Sequence, residues 1–241
     1  MKKFFVEQSQ ISQETITISG AQHEHLAKVL RTKAGEEIVC LTGDDFEYYC
    51  KVLEVGKKET CAKILRKSLC ARNPIASITI FQGLAKGEKL DLITQKATEL
   101  GASALIPFES HFTIAKTPRP KTERLTKITQ EACKQCGRSK AIQIFETINL
   151  KDIKNHLAGF DLVLFFYEHA PENQTLSSFN TEILSAQNIA IIVGAEGGFS
   201  EDESKMLISL QAKEISLGKR ILRTETASIA VCAYINFLKN N

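Results

Sequence analysis

Two stretches decide the fold: VGAEGGFS at residues 193–200 and LGKRILRTETA at residues 217–227. Each follows an apolar, strand-like run, turns on glycine and leads into a helix-like segment. The run 189–193 (IAIIV) is continuous and β-branched with no alternating polar face, which predicts a buried parallel strand. Gly194 ends it. Gly197 and Gly198 are free to take φ > 0 and bring backbone close to a bound group. Ser200 with Glu203 forms an S-x-x-E capping box, so a helix starts there with its first amides facing the loop. The second stretch follows the short run 214–217 (EISL), turns at Gly218 and enters a helix near Thr226. Ala230, Ala233, Phe237 and Leu238 share one face of that helix, which suits packing against a partner or the core equally. Two such loops at the strand ends of one sheet make the ligand edge of an α/β protein. Either loop by itself also reads as an ordinary strand-to-helix connection. Neither G-x-x-x-x-G-K-[ST] nor G-x-G-x-x-G occurs, so a triphosphate cradle is not expected.

Outward from these loops, strands alternate with helices from residue 77: strand 78–82, helix 87–100, strand 104–108, helix 119–136, strand 142–145, helix 150–157, strand 162–166 and a weaker helix 177–185. Leu90, Ile93, Ala97 and Leu100 make one stripe, and Leu125, Ile128, Ala132 and Cys136 another. This alternation predicts a parallel sheet with helices on both faces. Residues 1–67 read differently. Short strands at 16–18, 36–41, 46–55 and 60–65 suggest a small β-barrel, interrupted by one helix with Leu26, Val29 and Leu30 on its apolar face. The basic, irregular stretch 66–74 (RKSLCARNP) reads as the linker.

A chain of 241 residues with 43% hydrophobic content fills one large or two modest domains. No apolar stretch reaches membrane-spanning length, and MKKFFVEQSQ has no signal-peptide core. Seven scattered cysteines do not resemble a disulfide framework, which points to a reducing cytoplasm. Cys133 and Cys136 form a C-x-x-C inside a helical pattern, without the second pair or nearby histidine a metal site needs. The net charge of +3 hides an uneven distribution. Between Lys116 and Lys140 eight basic residues face two acidic ones, a net +6 that leaves −3 for the rest of the chain. Lys57, Lys58, Lys63, Arg66, Lys67 and Arg72 form a second basic cluster. Concentrated charge of this kind is the footprint of a phosphate-binding face, and it is also common on solvated helices.

The two glycine loops, together with HEHLAKVLR (23–31), AKGEKLDLITQKATELG (85–101) and EACKQCGR (131–138), resemble the 16S rRNA (uracil-N3)-methyltransferase family of the SPOUT RNA methyltransferase class. The similarity covers nearly the whole chain. Two departures are visible: Ala195 where the family usually has proline, and Lys134 where it usually has an acidic residue. The resemblance implies an α/β fold in which a PUA-like β-barrel RNA-binding domain (1–70) precedes a SPOUT-type parallel-sheet domain (74–241) with a trefoil knot near the C-terminus. It implies S-adenosyl-L-methionine as methyl donor, no metal, small-subunit ribosomal RNA as partner, a homodimer, no DNA and no membrane.

Carried onto this chain, the cofactor-binding set is Gly194, Glu196, Gly197, Gly198, Leu217, Gly218, Ile221, Leu222, Arg223, Thr226 and Ala227, with Leu217 and Leu222 as an apolar rim. Arg31, Lys86, Lys96, Arg124, Lys134 and Arg138 are the expected RNA contacts. Uracil N3 is a weakly acidic imide, so a base or a positive neighbour must help it lose its proton. Arg223, Glu225 and Glu196 are the candidates for that catalytic work. Glu225 also reads as a helix N-terminal charge that complements the macrodipole, and Arg223 as a salt-bridge partner. Another RNA methyltransferase of the same fold, or a noncatalytic RNA-binding or ribosome-assembly protein, stays open as an alternative.

Overall fold

The structure, a computed structural model, describes residues 1–113 and 119–240. Lys116, counted in the basic segment, lies outside the described residues. The chain divides into two compact units, Met1–Asn73 with Cys133–Ala141, and Pro74–Ala132 with Ile142–Asn241.

The first unit is built on strands β1 (Lys2–Phe5), β2 (Thr15–Ser19), β3 (Glu37–Leu41), β4 (Phe46–Val55) and β5 (Glu59–Leu69), in the order β1-β3-β4-β5-β2. β1 runs parallel to β3, and the other pairings are antiparallel. Phe4 on one edge strand and Ile16 and Ile18 on the other join the same core as Ile38, Cys50, Val52 and Ala62. A sheet whose two edges share one core must curl. Helix α1 (Gly20–Glu24) runs directly into a π-helical turn, His25–Val29, and adds Leu26 to that core. Val29, expected on the buried face, is instead 68% exposed. The wider i→i+5 turn changes which side chains share a face.

The presumed linker also shifts. Residues 66–69 continue β5, with Arg66 opposite Tyr49 and Leu69 opposite Phe46. β1 gave no local strand signal because its four residues do not alternate; its pairing with β3 is long-range. The piece Cys133–Ala141 belongs to this unit through Asn73, whose amide donates to Ser139 Oγ at 2.8 Å, while that hydroxyl donates to the Asp44 carbonyl at 2.6 Å. Cys133 packs with Phe5, Val39 and Leu41.

In the second unit, β6 (Ser77–Gly83), β7 (Ala104–Glu109), β8 (Gln143–Ile144), β10 (Leu162–Phe166), β11 (Asn188–Val193) and β12 (Lys213–Ile215) lie in the order β12-β10-β11-β6-β7-β8, and β9 (Ile148–Asn149) also pairs with β7. All these pairings are parallel. Ile80, Leu164 and Ile191 enter one core, and their chain neighbours Phe81, Phe165 and Ile192 enter another on the opposite face. Two buried faces explain why these strands read as unbroken apolar runs. Helices α2 (Lys89–Glu99), α4 (Asn180–Ser185), α5 (Glu201–Ser209) and α6 (Thr224–Asn240) complete the unit, and α3 (Thr122–Cys136) starts in it.

Several expected elements are shorter or tighter than their sequence pattern suggests. The strand 142–145 contracts to β8, residues 150–157 form a 3₁₀ helix (Leu150–His156), and 177–185 divides into a 3₁₀ turn (Leu176–Phe179) followed by α4. On α6 the apolar face that holds Ala230 and Phe237 is not the one that is buried. Thr224, Ala227, Ser228, Val231, Cys232 and Ile235 are buried, whereas Ala230 is exposed and Phe237 is 71% exposed. The buried stripe contains two hydroxyl residues, so hydrophobicity alone does not identify it.

Candidate active site

Three adjacent strands, β12, β10 and β11, end on one edge of the second unit, and the loops after them line one cavity of about 760 Å³. The loop after β11 contributes Gly194, Ala195, Glu196 and Gly198; the loop after β12 contributes Ser216 to Arg223; Ala227 on α6 closes the apolar side. The third loop, after β10, brings Tyr167, Glu168, Ala170 and Glu172, and Lys89 at the start of α2 completes the wall. Only two of these loops carry a glycine signal. The middle one, YEHAPE, reads as a plain surface turn, and its place in the site follows from strand order.

The loop after β11 folds back on itself, with Gly198 N–H donating to the Ala195 carbonyl at 3.0 Å. Gly198 takes φ +67°, as expected. Gly197 does not have positive φ. A Cβ there would stand 2.6 Å from Phe112 Cβ, so its missing side chain makes room for Phe112 rather than for a ligand. A closer approach occurs at Gly83, where a Cβ would lie 2.2 Å from the Ala195 amide nitrogen.

A buried polar network fixes this loop against α6. Thr224 Oγ1 donates to the Gly194 carbonyl at 2.6 Å and accepts from Gln82 Nε2 at 2.8 Å. Ser228 Oγ donates to Gln82 Oε1, and Gln82 Nε2 also donates to the Gly83 carbonyl at 3.0 Å. Gln82 is fully buried, so every bond it makes replaces one with water. Sequence reading missed Gln82, Thr224 and Ser228. Their signal is a glutamine ending an apolar strand and hydroxyls at the start of a helix.

The three catalytic candidates occupy different surroundings. Glu196 Oε1 accepts from the Lys86 amide at 3.0 Å and from Lys89 Nζ at 2.7 Å. Burial pushes its carboxyl up, but these donors outweigh burial and hold it below the ordinary carboxylate value. Glu225, in the first turn of α6, has a side chain only 14% exposed, and its Oε2 lies 4.0 Å from Lys89 Nζ. That oxygen is buried and has no hydrogen-bond partner among the described residues. Arg223 is exposed and lines the cavity.

Of the expected cofactor-binding set, Gly194, Glu196, Gly198, Leu217, Gly218, Ile221, Leu222, Arg223 and Ala227 line the cavity. Gly197 and Thr226 are outside its lining, and Thr226 is exposed at the start of α6. Of the expected RNA contacts, Arg31, Lys134 and Arg138 belong to the first unit and Lys86, Lys96 and Arg124 to the second. Arg31 is exposed, Lys86 lies on the turn before α2, Lys96 pairs with Glu99 at 2.9 Å, and Arg124 pairs with Asp91. Lys134 is half-buried on α3. Arg138 is 3% exposed. Burial draws its guanidinium down from the ordinary value, opposed by Cys133, Cys136 and Cys70.

A better basic surface lies on the first unit. The Arg66 guanidinium sits 3.5 Å from the Tyr49 ring centroid, and Lys67 Nζ lies 3.8 Å from that of Phe46 and 5.1 Å from that of Tyr48. Among the described residues no group of three or more His, Cys, Asp or Glu is placed to hold a metal, and no helix is long and apolar enough to cross a membrane. The cysteines are free thiols, and burial pushes that of Cys133 up to about 12.

The cavity's chemistry suits a nucleoside. Apolar walls from Phe166, Val193, Leu217, Leu222 and Ala227 stand beside the backbone of two glycine loops, which matches a flat base with polar edges. A Cβ on Gly198 would stand 3.8 Å from the Glu168 carboxylate, so glycine keeps this gap open between two lining residues.

Comparison with known proteins agrees over the full chain. An RNA methyltransferase domain family matches residues 71–236, and an RNA methyltransferase PUA domain family matches 18–65. The chain is 31% identical to Ribosomal RNA small subunit methyltransferase E of Bacillus subtilis (strain 168), covering 98% of this chain and 96% of the relative. It is 33% identical to the protein of the same name from Rickettsia conorii, covering 92% and 90%. A crystal structure of a Ribosomal RNA small subunit methyltransferase E from Neisseria gonorrhoeae bound to S-adenosyl methionine superposes with a TM-score of 0.89, at 26% identity and with 99% and 98% of the two chains covered.

Proposed function

We propose, since this chain belongs to the ribosomal RNA small subunit methyltransferase E family of RNA methyltransferases, that it methylates N3 of a uridine in small-subunit (16S) ribosomal RNA, with S-adenosylmethionine as donor. The observation that carries this reading is the cavity at the ends of β12, β10 and β11, walled by apolar side chains and glycine-loop backbone; Glu225 stands outside its lining, 4.0 Å from Lys89 of the wall. When bound, S-adenosylmethionine supplies a sulfonium methyl carbon that N3 takes, the electron pair of the broken S–CH₃ bond remaining on sulfur.

The chain's own residues hold and orient. Leu217, Leu222 and Ala227 would grip the base of the donor, and the backbone of Gly194, Ala195, Glu196, Gly198 and Gly218 would serve its polar edge. Glu168 and Glu172, which line the cavity, would provide acceptors for ribose hydroxyls. Alignment of donor and acceptor supplies much of the rate enhancement in a displacement of this kind. Glu225 takes the N3 proton, because its buried oxygen makes no competing hydrogen bond, whereas Glu196 is occupied by Lys86 and Lys89. Arg223 at the cavity wall offers positive charge to the uracil oxygens.

RNA reaches the first unit through Arg66, Lys67 and their aromatic partners. The same reading includes the trefoil knot of the last strands and helix, a cytoplasmic location supported by the free thiols, and a homodimer supported by the exposed Ala230 and Phe237 on α6. Nucleoside mass spectrometry of small-subunit ribosomal RNA from a deletion strain tests the assignment. Loss of 3-methyluridine supports it, and 3-methyluridine at parental level overturns it. Methylation of another position by the purified protein marks a different RNA methyltransferase, and calorimetry without S-adenosylmethionine binding ends the enzyme reading.

A further inference from the structure

We propose that Lys89 is the positioning residue for proton removal, its ammonium anchored by Glu196 so that it faces and orients the Glu225 carboxylate. The inference rests on the methyltransferase reading above and assigns a division of labour within that site.

Lys89 is the first residue of α2, placed there by a turn at Gly87 with φ +65°. The turn presents two donors to one oxygen, since Glu196 Oε1 receives both the Lys86 amide and Lys89 Nζ. This anchor fixes the far end of a long, flexible side chain, which otherwise has little positional preference. From there Nζ stands 4.0 Å from Glu225 Oε2, too far for a hydrogen bond and close enough for a charge interaction. A buried carboxylate oxygen without a hydrogen bond is costly to maintain. The nearby cation offsets that cost without filling the oxygen's lone pairs, which leaves them able to accept a proton.

Charge balance supports the same roles. Two carboxylates and one ammonium carry −1 together, so transfer of the uracil N3 proton to Glu225 brings the cluster to zero while N3 keeps the electron pair that bonds to the methyl carbon. Were Glu196 the acceptor, protonation would break the pair that holds Lys89. A purely structural staple between α2 and the glycine loop would instead govern cofactor binding and stability.

The test compares K89M and K89R with the parent full-length chain, measuring S-adenosylmethionine affinity by calorimetry, thermal stability, and single-turnover methyl transfer to small-subunit RNA. The expected result for K89M is affinity within about threefold of the parent and a transfer rate lower by about 30-fold or more, with K89R recovering most of the rate. A rate for K89M near parental, or a parallel fall of affinity, stability and rate that K89R does not correct, overturns the inference. A parent chain that binds donor but methylates no RNA overturns the proposed function, and this inference with it. A parent that is active while K89M is equally active overturns the inference alone.

Discussion

Thr224 Oγ1 bridges two segments far apart in sequence: it donates to the Gly194 carbonyl at 2.6 Å and accepts from Gln82 at 2.8 Å, so the strand end, the glycine loop and the start of α6 share one hydroxyl. Thr224→Ala removes that hydroxyl and leaves a buried carbonyl and amide without their partner. The expected cost is about 1–3 kcal/mol in urea unfolding, with weaker S-adenosylmethionine binding, whereas Thr224→Ser retains most of both. Equal stability of T224A and T224S would show that water replaces the hydroxyl without loss.

Gly83 offers a sharper steric test. Its position tolerates no Cβ, because the nearest atom is backbone, the Ala195 amide nitrogen at 2.2 Å, and backbone cannot turn away as a side-chain tip does. Gly83→Ala should destabilise the second unit by about 2 kcal/mol or more, in the upper range of overpacking effects, and should displace the glycine loop. Denaturation midpoints together with donor affinity report both consequences; an unchanged midpoint would mean that β6 and the loop separate at little cost.

Much of this architecture is legible in the sequence for a physical reason. Strands buried on both faces must be apolar throughout, so 162–166 and 189–193 announce themselves, and the Ser200–Glu203 capping box appears with both of its bonds. What stays hidden depends on long-range placement. Tyr167, Glu168 and Glu172 enter the cavity because β10 lies between β12 and β11, an order that no local pattern encodes. Lys89 reads as a solvated helix start until Glu196 is seen beside it. On α6, Thr224 and Ser228 are buried because Gln82 satisfies them, so polar residues occupy a face that hydrophobicity assigns to solvent.

The Glu196 carboxyl titrates below its ordinary value near 4.5 because its bonds to Lys89 and the Lys86 amide outweigh burial. A carboxyl depressed by folding contributes stability above its unfolded pKa and loses it as pH falls through the folded value. Glu196→Gln should therefore narrow its difference from the parent as pH drops below about 4.5, the parent losing stability faster. Melting temperatures of both proteins between pH 6 and pH 3, about the range over which carboxylates protonate, decide the matter; parallel curves would show that the pair forms no more in the folded chain than in the unfolded one.

Glu225→Gln separates chemistry from binding. The substitution keeps shape and removes the proton acceptor, so the single-turnover rate should fall by about 10²-fold or more while donor affinity stays within about threefold. Because deprotonation of N3 becomes easier at alkaline pH, the deficit should also shrink as pH rises. A rate for E225Q close to parental would move the acceptor role away from this residue.

The first unit's basic strip can be weighed separately from the active site. Arg66 stacked on Tyr49 and Lys67 over Phe46 hold their charges in fixed positions on β5, where a phosphate or an unstacked base meets a preformed cation. Removal of both charges as R66A/K67A should weaken binding of small-subunit RNA at low salt. It should also flatten the dependence of log affinity on log salt by about 0.7 for each single-stranded phosphate that is no longer neutralised. Donor affinity should not change, since neither residue lines the cavity. RNA affinity that falls with an unaltered salt slope would mean the pair contributes through stacking rather than phosphate neutralisation, and unchanged affinity would place the RNA path on another face.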